Sequence, residues 1–416
     1  VMVEFVSANP TGPMHMGNAR GGALGDCLAA VLDKAGYNAW REFYVNDAGN
    51  QIEKFGCSLE SRYLQIFKGD EIEFPEDGYQ GEDIKDLAKE YADLNGDSLV
   101  NVSAEERKKA LVGYALPKNI KKMQADMEKY KIFYDKWFFE SELHKSGAVK
   151  AVVDLLTEKG LTYEKDGAVW YKNKEVLTQK LLKEGKSQKY IDNLELKDDV
   201  LIRQNGNPTY FTADIAYHKN KFDRGFTTLI DVWGADHHGH VMRMKGAMDA
   251  IGYDGDKLNV VLMQLVKLVK DGELVRMSKR TGKAIQLGDL LDEVPVDSAR
   301  FLFNTKEANT QMDFDLDLAV SQDNQNPVYY VQYAHARICS IFKSLAKEGI
   351  SPRECTDAEL ALLTAPEEKE LINHLASYTN EIISAAKDYD PTKVTRYVTQ
   401  LATLFHKFYN ACRVKG

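Results

Sequence analysis

Two short stretches carry side chains whose types and spacing could do chemistry on a phosphate. The first is Pro13-Met14-His15-Met16-Gly17-Asn18. His15 and Asn18 lie three apart, so both can aim a donor at phosphate oxygens. Gly17 has no side chain, so a base or ribose can lie against the backbone. A helix starting here would add free N–H groups and a partial positive charge. The second is Arg276-Met277-Ser278-Lys279-Arg280-Thr281-Gly282-Lys283, with four cations in eight residues beside Ser, Thr and Gly. Such a loop can close over a triphosphate and neutralise a departing pyrophosphate. Taken singly, the first reads more plainly as an ordinary βα turn and the second as a solvated basic turn. Neither contains the Gly-x-x-x-x-Gly-Lys-Ser/Thr of a P-loop.

A third set suits a planar cation. Tyr210 and Asp214 lie four apart and could share a helical face, and Glu140 stands in Trp137-Phe-Phe-Glu-Ser. A guanidinium carries five donors and is always charged, so it calls for a carboxylate in bidentate geometry plus neutral acceptors. On its own, Asp214 reads as a surface or capping aspartate. The run Gly234-Ala235-Asp236-His237-His238-Gly239-His240 invites a zinc reading. Adjacent histidines seldom serve one tetrahedral site and no cysteine is near, so no metal is assigned. His240 reads equally as part of a structural turn after a strand.

The elements that must position these residues follow from the hydrophobic pattern. Val1–Val6 is a β-branched run, broken by Ser7 to Pro13. Leu24, Leu28, Val31, Leu32 and Ala35 then recur at helical spacing, with Gly36 as a C-cap, and Asn38–Val45 is a strand. This is the first βαβ unit of a doubly wound sheet. Ser103-x-x-Glu106 opens a helix reaching Tyr130, and Asp166-Gly167 and Asp271-Gly272 mark hairpins. The sheet pattern resumes at Val200–Arg203 and continues through Thr228–Trp233 and Leu258–Met263. From about Pro327 the chain is helical. The expected fold is α/β: a doubly wound, parallel-sheet (Rossmann-type) catalytic domain with a mostly helical insertion, then an incomplete α-helical domain. The segments are 1–56 (first half), 57–197 (connective insertion with a hairpin), 198–290 (second half, with the Met-Ser-Lys loop), 291–325 (linker) and 326–416 (helical domain).

The 416 residues are 44% hydrophobic and 28% charged with net charge −9, so the surface as a whole is no nucleic-acid glove. Five widely spaced cysteines without a Cys-x-x-Cys pair argue against a disulfide scaffold and point to a reducing cytoplasm. No apolar run nears the roughly 20 residues of a membrane span.

The order of the two phosphate motifs, one after the first strand and one after a late strand, resembles the paired signatures of class I aminoacyl-tRNA synthetases. Longer stretches resemble the bacterial arginyl enzymes: Val3 to Gly21, Arg41-Glu-Phe-Tyr-Val-Asn-Asp-Ala-Gly-Asn-Gln, Tyr210-Phe-Thr-Ala-Asp-Ile-Ala-Tyr-His, Trp233 to His240, and Gln325-Asn-Pro-Val-Tyr-Tyr-Val-Gln-Tyr-Ala-His-Ala-Arg. The resemblance implies an enzyme that joins L-arginine to tRNA(Arg) at the expense of ATP, with Mg²⁺ accompanying the nucleotide and no zinc. It implies catalytic roles for His15, Asn18 and Lys279. ATP would meet Pro13, His15, Gly17, Asn18, Gly234, Asp236, His238, Met277, Ser278 and Lys279. Arginine would meet Glu4, Asn9, Glu140, Tyr210, Asp214 and His237. It implies that the helical tail binds the anticodon, that activation requires bound tRNA, and that segments before residue 1 and after residue 416 belong to the whole protein. Neither a membrane nor DNA is an expected partner. Two positions depart from the pattern: Asn18 stands where histidine is common, and Arg276 where the wider class has a lysine. Readings kept beside this one are another class I synthetase, a small nucleotidyltransferase and a non-enzymatic RNA-binding relative.

Overall fold

The structure is a computed structural model that describes residues 1–275 and 285–414. Met277, Ser278 and Lys279, with the rest of the second phosphate motif, lie outside the described residues. The chain divides into two compact units, one built chiefly on Val1–Gly21 and Ala39–Met263, the other on Gly22–Asn38 and Gly288–Gly416.

The expected strand, loop, helix, strand is present as β1 (Met2–Glu4), α1 (Met16–Lys34) and β2 (Trp40–Val45), with α1 passing from the first unit into the second at Gly22. Gly36 takes φ +96 just past the helix, as a C-terminal glycine should. Three helices follow, α2 (Asn50–Lys68), α3 (Glu82–Asn95) and α4 (Ala104–Lys129), packed around Phe55, Leu59, Tyr63, Ile84 and Leu111. Ser103 caps α4 by accepting from the Glu106 N–H. Next come β3 (Lys136–Phe139), α5 (Glu140–Lys145) and α6 (Ala148–Glu158). The hairpin of β4 (Thr162–Lys165) and β5 (Ala168–Tyr171) turns on Asp166 and Gly167, both at positive φ (+53 and +73), the backbone of a type I′ turn. It is followed by α7 (Asn173–Lys183), α8 (Gln188–Asp192), β6 (Asp199–Ile202), α9 (Tyr210–Asp223), β7 (Leu229–Gly234), α10 (His238–Ile251) and β8 (Leu258–Met263).

The main sheet has the order β3-β2-β1-β7-β8, parallel throughout. Two expectations about it shift. Its edge strand β3 comes from inside residues 57–197, which the sequence suggested as an insertion. And the apolar run near Val200, expected to resume the main sheet, is β6 and pairs antiparallel with β5 in a separate sheet, β4-β5-β6. Hydrophobic pattern says that a run is a strand, not which neighbour it takes. The core holds Met2, Phe138, Leu156, Leu201, Phe211, Ile215, Tyr217, Leu229, Met244 and Leu258.

In the second unit, β9 (Val266–Lys270) and β10 (Glu273–Leu274) form the hairpin expected at Asp271-Gly272. The remaining elements are α11 (Leu287–Glu293), α12 (Val296–Phe303), β11 (Met312–Asp315), which pairs parallel with β9, and α13 (Leu316–Val320). So residues 291–325, expected as a linker, fold into regular elements, with Phe303 stacked on Phe314 at 4.5 Å. The tail is helical as expected: α14 (Pro327–Lys347), α15 (Asp357–Leu360), α16 (Pro366–Ala376), α17 (Tyr378–Lys387) and α18 (Thr392–Ala411). Ala334 of α14 packs on Ala402 and Phe405 of α18.

Candidate active site

The parallel sheet delivers its chemistry at the carboxyl ends of its strands, where doubly wound folds bind ligands. After β1, the chain turns through Val6 (φ +71) and Ser7 (φ +45), two consecutive left-handed non-glycine residues. For a β-branched valine this conformation costs roughly 1–3 kcal/mol and persists only where the surroundings enforce it. The Ser7 hydroxyl enforces it: Oγ donates to Glu4 Oε1 (2.7 Å) and accepts the Tyr44 N–H (3.1 Å). Asn9 follows, exposed, two residues on.

The turn then enters α1. His15 and Gly17 are exposed, Asn18 half-buried, and a Cβ on Gly17 would meet no atom within 4 Å. The first turn of α1 carries no acidic residue, so nothing there cancels the positive end of the helix dipole. Asn18 Oδ1 accepts the His15 N–H at 3.0 Å, which leaves the Asn18 amide nitrogen as a donor. Partial desolvation lowers the His15 pKa below its ordinary 6.5, so the ring is neutral at pH 7. The chain that leaves the second motif returns to this turn. Met16 N–H donates to Ile285 O (3.0 Å) and Leu287 N–H to Met14 O (2.8 Å), with His15 opposite Gln286. From α4, Asn119 donates to Pro10 O and Lys122 to Gln286 Oε1 (3.0 and 3.3 Å).

A second cluster forms around Gly49, at φ +77 and ψ −160, a region open only to glycine. A Cβ there would lie 3.8 Å from Tyr210 Cε1 and 4.0 Å from Glu140 Oε1. Glu140, 3% exposed, accepts from Tyr44 OH (2.9 Å) and faces His144 Nε2 (3.3 Å). With its amide oriented to satisfy both ends, Asn46 donates to Glu140 Oε2 at 3.0 Å. Burial pushes the Glu140 carboxyl above its ordinary range, and the negative charge of Asp214 adds to the rise. Tyr44 is raised too, chiefly by burial and then by Glu140 and Asp214.

Asp214 has more acceptor capacity left. Its side chain is about a third exposed, and among the described residues it meets His240 Nε2 at Oδ2, 3.0 Å away. A carboxylate offers about four lone-pair sites; Glu140 already meets three polar neighbours and Asp214 one. Of the three histidines, His237 and His238 are exposed and His240 is the one that reaches the cluster, packed on Phe211 and Trp233. The sequence pattern points to the other two, but the helical phase of α10 turns the third one inward. Gly234 ends β7, and Asp236 beyond it is exposed.

Glu4 is placed differently from the other expected arginine contacts. It is 7% exposed, and Lys221 Nζ donates to its Oε2 at 2.5 Å. Glu4, His218 and Asp231 are close enough together to hold a metal ion. Lys221 Nζ also donates to Asp231 Oδ1 at 2.8 Å, so an ammonium already stands where such an ion would sit.

The family of class I (R) tRNA synthetase catalytic domains matches residues 1–339, and the DALR anticodon binding domain matches residues 331–416. The chain belongs to the class I arginyl-tRNA synthetase family. The arginine–tRNA ligase of Ruminiclostridium cellulolyticum is 57% identical over 418 residues, covering 100% of this chain and 71% of that protein. That of Caldanaerobacter subterraneus subsp. tengcongensis is 58% identical, with the same two coverages. A solved structure from Campylobacter jejuni, described as that of an arginyl tRNA synthetase, superposes with TM-score 0.83 at 36% identity, covering 100% of this chain and 86% of that one. As an arginyl-tRNA synthetase fold, the parallel sheet accounts for both clusters: one at the end of β1, the other at the ends of β2 and β3 and the start of α9. No helix among the described residues is long and apolar enough to cross a membrane.

Proposed function

We propose that this chain activates L-arginine with ATP, forming arginyl-adenylate and pyrophosphate, and transfers the arginine to the terminal adenosine of tRNA(Arg) in the cytoplasm. The observation that carries the reading is Asp214, a carboxylate with acceptor capacity to spare, beside Glu140, Tyr44 and Tyr210 around Gly49. Two acids with no cation between them among these contacts suit one planar, permanently charged group. Asp214 takes the guanidinium with Tyr210, and Glu140 supplies second-rank negative charge. Asn9, in the turn after β1, holds the carboxylate end.

Both steps are displacements. The arginine carboxylate attacks the α-phosphorus and the bond to pyrophosphate breaks; the acid is already ionised, so no general base is required. Catalysis is then positioning and charge stabilisation. Neutral His15, the Asn18 amide and the start of α1 hold the phosphates, with Gly17 and Gly234 leaving room for the nucleoside and Asp236 and His238 at its rim. Met277, Ser278 and Lys279 follow the leaving pyrophosphate. Mg²⁺ enters as part of the substrate, on the ATP phosphates. In the second step a ribose hydroxyl of the tRNA attacks the mixed anhydride and AMP leaves.

Charging of tRNA(Arg) by the chain, with arginine against other amino acids, tests the reading. Lys279→Ala should then lower arginine-dependent ATP–pyrophosphate exchange by about 10²-fold or more, the scale for removing one transition-state charge partner. Near-normal exchange would remove Lys279 from its role.

A further inference from the structure

β2, β1 and β7 lie side by side, and their register sets Glu4 opposite Glu42 on one flank and opposite Asp231 on the other. Three carboxylates thus form one row across the sheet, all buried (0%, 7% and 0% exposed). Strands are about 4.8 Å apart, so the row is strongly self-repelling unless it is answered. It is answered from α9 and the residue after it. Tyr217 OH donates to Glu42 Oε1 (2.9 Å), and Arg224 grips both Glu42 oxygens (2.8 and 2.7 Å). Lys221, fully buried, bridges Glu4 and Asp231. His218 joins Asp231 Oδ2 (2.7 Å) to the carbonyl of Asp214 (2.8 Å).

These partners lie on the helix face that also carries Tyr210 and Asp214, at spacings of three, four and seven residues. An apolar interface tolerates sliding. A row of buried acids answered by fixed partners on one helix does not, because a shift of one helical turn leaves the charges buried and unpaired. Lys221 is about 10 Å along the axis from Asp214, and a helix transmits such a displacement rigidly.

We propose that Lys221 is a positioning residue for the arginine subsite: by bridging Glu4 and Asp231 it sets the axial position of α9, and with it the placement of Asp214 and Tyr210. The inference rests on the functional reading above. Its consequence is selective. The ATP turn is stitched to Ile285 and Leu287 and meets α9 only through Glu4, whose other oxygen takes the Ser7 hydroxyl, so nucleotide binding changes less than arginine binding.

The test is calorimetric titration of the full chain with arginine and, separately, with ATP, for Lys221→Met, Lys221→Arg and Lys219→Ala. Lys219 is on α9 but pairs with Asp223 at the surface. Both Lys221 variants should weaken arginine binding by about tenfold or more, since displacements near 1 Å cost up to about 10²-fold. ATP affinity should fall by much less than arginine affinity, and Lys219→Ala should change neither. If Lys221→Met does not fold, Lys221→Arg, which keeps the charge but not the reach, decides; His218→Gln gives a third reading. Normal arginine affinity in a folded Lys221 variant overturns the inference. So does a parallel loss of both ligands, or the same loss in Lys219→Ala. A native chain that binds no arginine overturns the functional reading first, and this inference with it.

Discussion

The backbone N–H of Met16 donates to the carbonyl of Ile285 at 3.0 Å. That bond, with its companion from Leu287 to Met14, ties the first phosphate motif to the chain emerging from the second. Met16 is the first residue of α1. Proline is tolerated at a helix start and asks only that the preceding residue be extended, as His15 is in its bridge to Gln286. Met16→Pro therefore removes this donor while leaving the helix able to form. It should cost about 2–4 kcal/mol of stability, combining a hydrogen bond with a buried side chain. It should also raise the ATP KM several-fold with the arginine KM little changed. Equal rises in both KM values would mean that the stitch does not act on the nucleotide turn.

Asp214→Asn keeps the shape of the side chain and removes the charge. Hydrogen bonds to charged groups contribute about 1.5–3 kcal/mol, so arginine affinity should fall roughly 10- to 150-fold. Glu140→Gln should cost less, because Tyr44, Asn46 and His144 already occupy much of that carboxylate. Titration of the two variants with arginine checks the order; a larger loss in Glu140→Gln would reverse the assignment.

Gly49→Ala is expected to be damaging out of proportion to one methyl group. The backbone at φ +77 and ψ −160 is closed to side chains, at about 1–3 kcal/mol, and the new carbon would face Tyr210 and Glu140. Thermal unfolding should register the strain and arginine titration the intrusion. An unchanged arginine affinity would place the subsite elsewhere.

The raised pKa of Glu140 gives a pH dependence of definite sign. Between the ordinary value of 4.5 and the raised native one, the folded chain holds more protons than the unfolded, so stability falls as pH rises through that window. Arginine, whose guanidinium on Asp214 brings a positive charge near Glu140 and so favours its ionised form, offsets the cost. The arginine-induced rise in Tm should therefore grow as the pH climbs above the ordinary 4.5 and through the raised native value, and Glu140→Gln should flatten that growth. A ligand shift independent of pH in the native chain would argue against a guanidinium at this carboxylate.

Much of this fold was legible because its signals are local. The strand–turn–helix–strand of residues 1–45, the cap at Ser103 and both Asp-Gly hairpins depend on residues a few positions apart, and they appear where expected. What was not legible depends on partners distant in sequence. Nothing local to Glu4, which the resemblance makes an arginine contact, announces Lys221 as its buried partner. Trp137-Phe138-Phe139 is too short to announce an edge strand of the main sheet. His240 was the least favoured of three histidines because nothing local fixes where the turn at Ala235–His237 ends and α10 begins, and that phase decides which ring meets Asp214. The roles given to His15, Asn9 and Tyr210 follow from type and place. The exposed positions of His237, His238 and Asp236 leave them as rim residues.

The most direct test of the account is ATP–pyrophosphate exchange by this chain with tRNA(Arg) present, run across a panel of amino acids. Exchange that depends on arginine and needs roughly 10- to 150-fold more of it in Asp214→Asn is the predicted result. Exchange with another amino acid, or arginine-dependent exchange that survives Asp214→Asn unchanged, would contradict it.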